Sequence, residues 1–152
     1  MRELASVYLH PGDVFASATP HRISTVLGPC VSVVLWDAGR GVGGMNHVAL
    51  PQAMGQNPRL TKFAGPGTRV LLDRMVALGA RLAALEARLF GGAHISASAN
   101  VWGDGVGRRN VDAIRAVLEG EGVFVIGEDV GGSRGRRVVF CTETGDCRVS
   151  LL

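Results

Sequence analysis

The chain has 152 residues, of which 47% are hydrophobic and 19% charged, a composition that fits one globular domain and excludes a disordered chain. No apolar run approaches the ~20 residues of a membrane span, and the N-terminus lacks the unbroken apolar core of a signal peptide. We therefore expect a cytoplasmic protein without membrane insertion. The net charge of +3 comes mostly from arginines that are scattered along the sequence. They do not form the basic cluster that would predict nucleic-acid binding.

The first half of the chain predicts a short strand followed by a β-hairpin. Residues 4–9 read as a strand that ends at the turn sequence HPGD. The segment CVSVVLWD is a β-branched run with a buried face, and VGGMNHVAL returns as a second strand after a turn at residues 37–41. An antiparallel hairpin brings the start of its first strand beside the end of its second. We therefore expect Cys30 and His47 to be neighbours at the open end.

The second half predicts helices and strands separated by glycine-rich loops. Residues 82–90 fit a helix or a strand by spacing, and we favour a strand over 85–90 because Gly79 has already ended the preceding helix. The other elements, in chain order, are a loop at 52–67, a helix at 68–79, a loop at 95–107, a helix at 109–122 with Asn110 as its N-cap, a buried strand at 123–126 and a hairpin around TETG near the C-terminus.

The three cysteines do not indicate a disulfide framework or a zinc site. Cys30, Cys141 and Cys147 include no CxxC pair and have no histidines at zinc-ligand spacing, so we expect neither a metal nor a cofactor. In the C-terminal hairpin, Cys141 and Cys147 are expected to stand opposite each other, where a disulfide is geometrically possible. In the cytosol such a pair is expected to stay reduced.

Cys30 and His47 form either part of the core or a nucleophile and its base. A free cysteine is often a small buried hydrophobe, and a histidine beside glycines is often structural. The functional alternative needs these residue types, because a thiol with a pKa near ~8.5 requires a base to become a nucleophilic thiolate at neutral pH. The thiolate can attack a carboxamide, expel ammonia and leave a thioester that water hydrolyses.

The residues around this pair favour the functional alternative. Cys30 lies at a junction between a loop and a strand, where a side chain can face a cleft. Gly28, Gly43 and Gly44 remove side-chain bulk, so that a substrate backbone could approach. The hydroxyls of Ser24 and Thr25 lie just upstream and could orient the far nitrogen of the imidazole ring.

The sequence also resembles a known family. The motifs that carry the resemblance are TVLGPCVSVVLWD, GVGGMNHVALP, LEARLFGGA, VGRRNVDAIRAVLEGEGV, EDVGGSRGRRVVF and TETG. Together, in this order and from about residue 7 to the end, they are similar to the chemoreceptor glutamine deamidases of bacterial chemotaxis, the CheD family. The resemblance implies a single domain over residues 1–152. Its expected fold is mixed α/β, a mainly antiparallel layered β structure with flanking helices, similar to cysteine-dependent toxin deamidases.

The resemblance implies a Cys–His–Thr triad that hydrolyses selected glutamine side chains to glutamate. Cys30 matches the family nucleophile and His47 its histidine. The family threonine lies six positions before the cysteine, which here is Ser24. Ser24 is therefore the expected third catalytic residue, and Thr25, together with Gly28, Gly43 and Gly44, is assigned to substrate binding. Pro29 also departs from the family serine, and proline has no amide N–H to offer an oxyanion.

The resemblance implies two protein partners. The substrate would be the cytoplasmic domain of a methyl-accepting chemoreceptor. Other family members also bind a chemotaxis phosphatase, so a CheC-type phosphatase is a second expected partner. Because Ser24 and Pro29 depart from the family pattern, the alternative function is an adaptor that binds receptors or the phosphatase with weak or no catalysis.

Overall fold

The computed structural model describes residues 3–52, 59–95 and 105–152. Within these ranges the elements are, in chain order, β1 (Ala5–Tyr8), β2 (Val14–Ser17), β3 (His21–Leu27), β4 (Val31–Asp37), β5 (Val42–Asn46), α1 (Ala64–Ala77), β6 (Glu86–Gly91), α2 (Val106–Gly120), β7 (Phe124–Val130), β8 (Arg136–Cys141) and β9 (Cys147–Leu151). Short 3₁₀ turns at Leu60–Lys62 and Leu82–Ala84 precede α1 and β6. Neither α1 nor α2 has the length and apolar character that a membrane-spanning helix needs.

The nine strands form two sheets. A four-stranded sheet has the order β1-β3-β8-β9, and a five-stranded sheet has the order β2-β5-β4-β6-β7. Five of the seven strand pairs are antiparallel, and the two parallel pairs are β1 with β3 and β6 with β7. This arrangement confirms the expected mixed α/β architecture with mainly antiparallel sheets.

The central strand β4 faces two separate cores. Val31, Val33 and Leu35 pack with the buried side chains of α1 and α2. Val34 and Trp36, on the other face, pack with residues of the four-stranded sheet. Nearly every position of this strand is apolar because both of its faces are covered. The five-stranded sheet is therefore the middle layer, between the four-stranded sheet and the helices.

The predicted hairpin of β4 and β5 is confirmed. The two strands pair antiparallel, and an isolated bridge between Val31 and Val48 continues the same register with reciprocal hydrogen bonds of 2.9 and 2.8 Å. Cys30 precedes Val31 and His47 precedes Val48. The two candidate residues are therefore diagonal neighbours across the open end of the hairpin, a separation that long side chains span.

Both helices begin earlier than the sequence predicts. α1 begins at Ala64 and includes Pro66 in its first turn. Proline is tolerated there because the amides of the first turn have no partner within the helix, so its missing N–H breaks no hydrogen bond. α2 begins at Val106, so Asn110 lies inside the helix and its prediction as the N-cap is wrong. The predicted loops at 52–67 and 95–107 fall largely outside the described residues or within these helices.

The sequence predicts a buried strand at 123–126. The structure has a strand there, β7, but it is not buried. β7 pairs with β6 alone and forms an edge of the five-stranded sheet. Val123 is buried, but Phe124 and Ile126 are 79% and 50% exposed. A short apolar run cannot distinguish a central strand from an edge strand, because neighbouring strands decide which faces are covered.

The C-terminal hairpin has a register that separates its two cysteines. The predicted hairpin is present, and Gly145 has a φ of 81° in its turn. Cys147 lies opposite Phe140 instead of Cys141, and the Cys141 amide donates to the Asp146 carbonyl. A shift of one residue places the two thiols on opposite faces of the hairpin, so the expectation that they stand opposite each other is wrong. Both are free cysteines.

Candidate active site

Cys30 lies in the short connection between β3 and β4, after Gly28 and Pro29. Its carbonyl accepts a hydrogen bond from the Gly92 amide at 2.8 Å, and the Gly28 carbonyl accepts one from the Ala93 amide at 3.0 Å. The side chain is half-buried, and burial raises the pKa of the thiol to about 11, although the residue's own amide lowers it. The candidate nucleophile is therefore a neutral thiol at neutral pH, on a connection anchored to the end of β6.

The glycine pair Gly91-Gly92 leaves an amide free beside this thiol. Both residues have positive φ, 107° and 68°, and a Cβ on Gly91 would overlap the Cys30 carbonyl oxygen. In a regular antiparallel ladder the Cys30 amide would donate to the Gly92 carbonyl. That carbonyl instead lies against Gly107 of α2. The Cys30 amide consequently has no acceptor among the described residues, and it faces its own sulfur.

The backbone of His47 is held on the side of β2 by the turn that follows β1. The Gly12 amide donates to the His47 carbonyl at 2.8 Å, and the His47 amide donates to the Asp13 carbonyl at 3.1 Å. The Asp13 carboxylate closes this turn by accepting from the His10 amide at 2.8 Å and is paired with Arg59. These bonds fix the position of the imidazole through its main chain.

The hydrogen bonds of the imidazole ring define its tautomer. Thr25 Oγ1 lies 2.8 Å from His47 Nδ1 and donates its single hydrogen to the Leu9 carbonyl, also at 2.8 Å. Because that hydroxyl has no second hydrogen, His47 Nδ1 must be the donor in the other bond. His47 Nε2 is then unprotonated, and it is buried without a hydrogen-bond partner. Burial lowers the pKa of His47 to about 4, so the ring is a neutral base at neutral pH.

The structure places Thr25, and not Ser24, against the imidazole of His47. Side chains alternate along β3, and Ile23 and Leu27 are fully buried between the two sheets. Thr25 shares their face and is fully buried as well, whereas Ser24 lies on the opposite, partly exposed face. Ser24 therefore makes no contact with His47, and the hydroxyl assigned to substrate binding is the one that orients the imidazole.

Gly28 lies beside the candidate nucleophile, whereas Gly43 and Gly44 lie at the other end of the hairpin. Gly43 and Gly44 are at the turn end of the hairpin, in the first half of β5. A Cβ at Gly43 would approach Thr142 within 2.9 Å, and one at Gly44 would approach Leu71 within 2.8 Å. Both glycines therefore permit close packing between the layers of the fold.

Asn110 is a buried clamp that sequence reasoning missed. Its Nδ2 donates to the carbonyls of Pro29 and Ala49, each at 3.1 Å. Pro29 precedes the cysteine, and Ala49 follows the histidine by two residues. One side chain of α2 therefore ties together the two segments that carry the candidate dyad. The sequence did offer a signal for this role, because Asn110 is a polar residue on the apolar face of a predicted helix.

We expect Asn110→Ala to lower the free energy of unfolding by about 1–3 kcal/mol, because two partly buried carbonyls lose their donor. Urea unfolding followed by circular dichroism measures this change. Asp112→Ala is the matched control, since Asp112 is exposed on the same helix and only loosely paired with Arg108. An Asn110→Ala variant as stable as the Asp112→Ala variant would contradict the clamp.

A pocket of about 170 Å³ adjoins the cysteine-bearing connection. Its lining includes Pro29, the first turn of α2 and the Gly131–Gly132 turn. The buried guanidinium of Arg136 holds this turn by donating to the Gly131 carbonyl and to the Asp129 carboxylate. The pocket therefore has a fixed wall close to the candidate nucleophile.

The groups that meet at this site suit acyl transfer without a metal ligand set. A thiol, an unprotonated imidazole nitrogen, a hydroxyl that orients the ring and a free amide lie at one end of the hairpin. Within residues 3–52, 59–95 and 105–152, no three His, Cys, Asp or Glu side chains are grouped so as to hold a metal ion. The set corresponds to a nucleophile, a general base, an orienting group and an oxyanion donor.

The pKa shifts predict how alkylation of the cysteines depends on pH. Burial raises the pKa of the Cys30 thiol to about 11, so its reaction with iodoacetamide should still be accelerating above pH 9. For Cys141, burial raises the pKa, but hydrogen bonds from Thr144 and Glu143 outweigh it and lower the pKa below 9.0. Its reaction should therefore level off first, which peptide mass spectrometry of the alkylated protein can follow. A plateau for Cys30 near pH 7 would contradict a neutral thiol and imidazole at rest.

Comparisons with known proteins agree with the resemblance stated from the sequence. The profile of the family described as CheD chemotactic sensory transduction matches residues 49–151. A protein of Trichlorobacter lovleyi is 37% identical over 138 residues, which cover 91% of this chain and 85% of that protein. One from Geobacter sulfurreducens is 36% identical over 150 residues, which cover 99% of this chain and 92% of the relative. Both are named probable chemoreceptor glutamine deamidases.

Similarity to solved structures is more distant. A Neisseria meningitidis protein described as family-model DUF152 has a TM-score of 0.47 and 17% identity, over 86% of this chain and 63% of that chain. This likeness is too weak to support an inference about activity. The family profile and the relatives, in contrast, extend over most of the chain. The chain therefore belongs to the CheD family.

Proposed function

We propose that this protein hydrolyses the side-chain carboxamides of selected glutamines in chemoreceptor cytoplasmic domains, producing glutamate and ammonia. The observation that carries the proposal is the unprotonated, unpartnered Nε2 of His47, held on the same side of the hairpin as the Cys30 thiol. Relatives that match most of the chain are named for this activity. The proposed enzyme is a cysteine-dependent amidohydrolase that needs no cofactor.

Acylation begins when His47 Nε2 takes the proton of the Cys30 thiol as the sulfur attacks the carboxamide carbon. The carbonyl oxygen becomes an oxyanion, and the free amide of Cys30 is the donor placed to stabilise it. The imidazolium then returns its proton, through Nε2, to the departing nitrogen. Ammonia leaves, and the glutamine side chain remains on Cys30 as a thioester.

Pro29 is compatible with this mechanism. The amide that the proposal uses is that of Cys30, so the missing N–H of Pro29 removes no donor. The Pro29 carbonyl has its own partner in Asn110. The departure from the family serine therefore gives no reason to expect an inactive site.

The pocket beside Pro29 is lined by neither Cys30 nor His47, so we expect it to receive a part of the receptor next to the target glutamine. Its volume of about 170 Å³ is small, so this part would be a side chain and not a folded segment. A net charge of +3 would favour approach to an acidic receptor helix. A CheC-type phosphatase remains the second proposed partner.

Mass spectrometry of a purified chemoreceptor cytoplasmic fragment tests the proposal. Incubation with the protein should raise the mass of defined glutamine-containing peptides by about 1 Da per event, the difference between an amide and an acid, with one equivalent of ammonia released. Fragment incubated without protein controls for spontaneous deamidation. A fragment that binds the protein but gains no mass would instead favour the adaptor function.

A further inference from the structure

Ser32 is a buried polar residue that the acylation step does not use. It lies in β4, two residues after the nucleophile, and its side chain is fully buried. Its hydroxyl has no hydrogen-bond partner among the described residues. A buried hydroxyl without a partner is destabilising, so its presence among the apolar residues of this strand needs an explanation.

The register places Ser32 directly opposite His47. The pair Val34–Met45 and the bridge Val31–Val48 have the same offset, and that offset puts residue 32 across from residue 47. Directly opposite side chains have Cβ atoms about 4.5–5.5 Å apart. Alternation along the strand also puts Ser32 on the same face as Cys30.

Two unsatisfied polar atoms consequently lie on the same face of the hairpin. The Ser32 hydroxyl and His47 Nε2 are both buried and unpartnered, and they are not hydrogen-bonded to each other. The Cys30 side chain is on this face as well. A site with two to four polar partners of this kind is one that holds a buried water molecule.

We propose that Ser32 and His47 Nε2 hold the water that hydrolyses the Cys30 thioester, an inference that rests on the proposed function. Ser32 accepts a hydrogen bond from this water, and Nε2 takes its other proton as the oxygen attacks the thioester carbon. The C–S bond then breaks, and its electrons remain on sulfur. The imidazolium returns its proton to the thiolate, so the products are the glutamate carboxylic acid, which ionises, and the restored thiol.

This assignment makes Ser32 a positioning residue for deacylation and not for acylation. The thiol attacks the carboxamide without any water, so removal of the Ser32 hydroxyl should spare the first half of the reaction. Hydrolysis of the thioester should become slower than its formation. The two half-reactions can therefore be separated by one substitution.

The test follows Ser32→Ala with the chemoreceptor cytoplasmic fragment as substrate. Ammonia should appear in a burst of about one equivalent per protein, followed by a steady state about tenfold slower than that of the unaltered protein. Intact mass spectrometry should detect the covalent thioester on the Ser32→Ala variant. Hydroxylamine cleaves thioesters directly, so it should restore the steady rate of this variant and leave that of the unaltered protein unchanged.

Thr68→Val is the matched control. Thr68 of α1 is also fully buried, and its hydroxyl is also unpartnered, but it packs on the helix side of the five-stranded sheet. Its replacement should change neither the burst nor the steady rate. A Ser32→Ala variant with normal turnover, or one slowed without any thioester or burst, would overturn the inference alone. Absence of ammonia and of thioester with the unaltered protein would overturn the proposed function, and this inference with it.

Discussion

Replacement of Cys30 by alanine is expected to reduce ammonia release from a chemoreceptor fragment by about 10⁴-fold or more, the size of loss seen when a nucleophile is removed from a triad. The pKa of about 11 makes the thiol inert by itself at neutral pH, so its reactivity depends on His47. His47→Ala should therefore lose a comparable factor. Ammonia release and peptide mass spectrometry on the same samples measure both variants.

Cys141→Ala is the control for the loss of a thiol. Cys141 is also partly buried and free, but it lies in the C-terminal hairpin on the other sheet. This variant should keep the activity of the unaltered protein. Binding of the receptor fragment should survive in Cys30→Ala, because the thiol is small and the pocket wall is built from other residues. Residual deamidation by Cys30→Ala at the normal rate would rule out a thioester on this residue.

Replacement of Thr25 by valine is expected to lower kcat by about a hundredfold, whereas Ser24→Ala should change it by no more than about twofold. Valine keeps the shape of threonine but removes the acceptor of His47 Nδ1–H. The imidazole can then carry its proton on Nε2, and a protonated Nε2 cannot accept the proton of the Cys30 thiol. The Leu9 carbonyl also loses its donor.

Nitrogen-15 NMR distinguishes this mechanism from a general loss of packing. In the unaltered protein His47 should have a protonated Nδ1 and an unprotonated Nε2 near pH 7. In Thr25→Val the tautomer populations should change, and in Ser24→Ala they should not. If Ser24→Ala were the damaging substitution, the family alignment of the third residue would hold and the geometry of β3 would have to differ.

The central hairpin, and with it the placement of Cys30 and His47 at its open end, could be predicted because the signal is local. A valine-rich run, a short turn and a second strand determine the pairing, and the pairing alone puts Cys30 and His47 at the same end of the hairpin. No information about the rest of the fold is needed. The same holds for the C-terminal hairpin, although its register shifted by one residue and separated Cys141 from Cys147.

The hydroxyl residue that contacts the imidazole could not be chosen from the sequence, because the choice depends on another sheet. Ser24 and Thr25 are adjacent hydroxyl residues on opposite faces of β3. Which face points inward is decided by pairing of β3 with β8, more than a hundred residues away along the chain. The spacing to the cysteine favoured Ser24, whereas the burial of Ile23 and Leu27 places Thr25 at the imidazole.

The roles of residues that depend on tertiary contacts could not be predicted from the sequence either. Asn110 resembles a helix cap until α2 is seen to begin at Val106 and to lie against the cysteine-bearing connection. Gly43 and Gly44 suggest an open cleft in the sequence, but side chains from the layers above and below fill the space. In each case the deciding neighbours are distant along the chain.

The imidazole and the hydroxyl that orients it belong to different sheets. Cys30 and His47 border the five-stranded sheet, whereas Thr25 is a residue of the four-stranded sheet. A partly folded chain with a complete hairpin would contain the thiol and the ring but not the bond that selects the active tautomer. Catalysis would then begin late in folding, only after the two sheets have docked. Partly folded or damaged copies would carry an unreactive thiol and would not deamidate other proteins that expose glutamine.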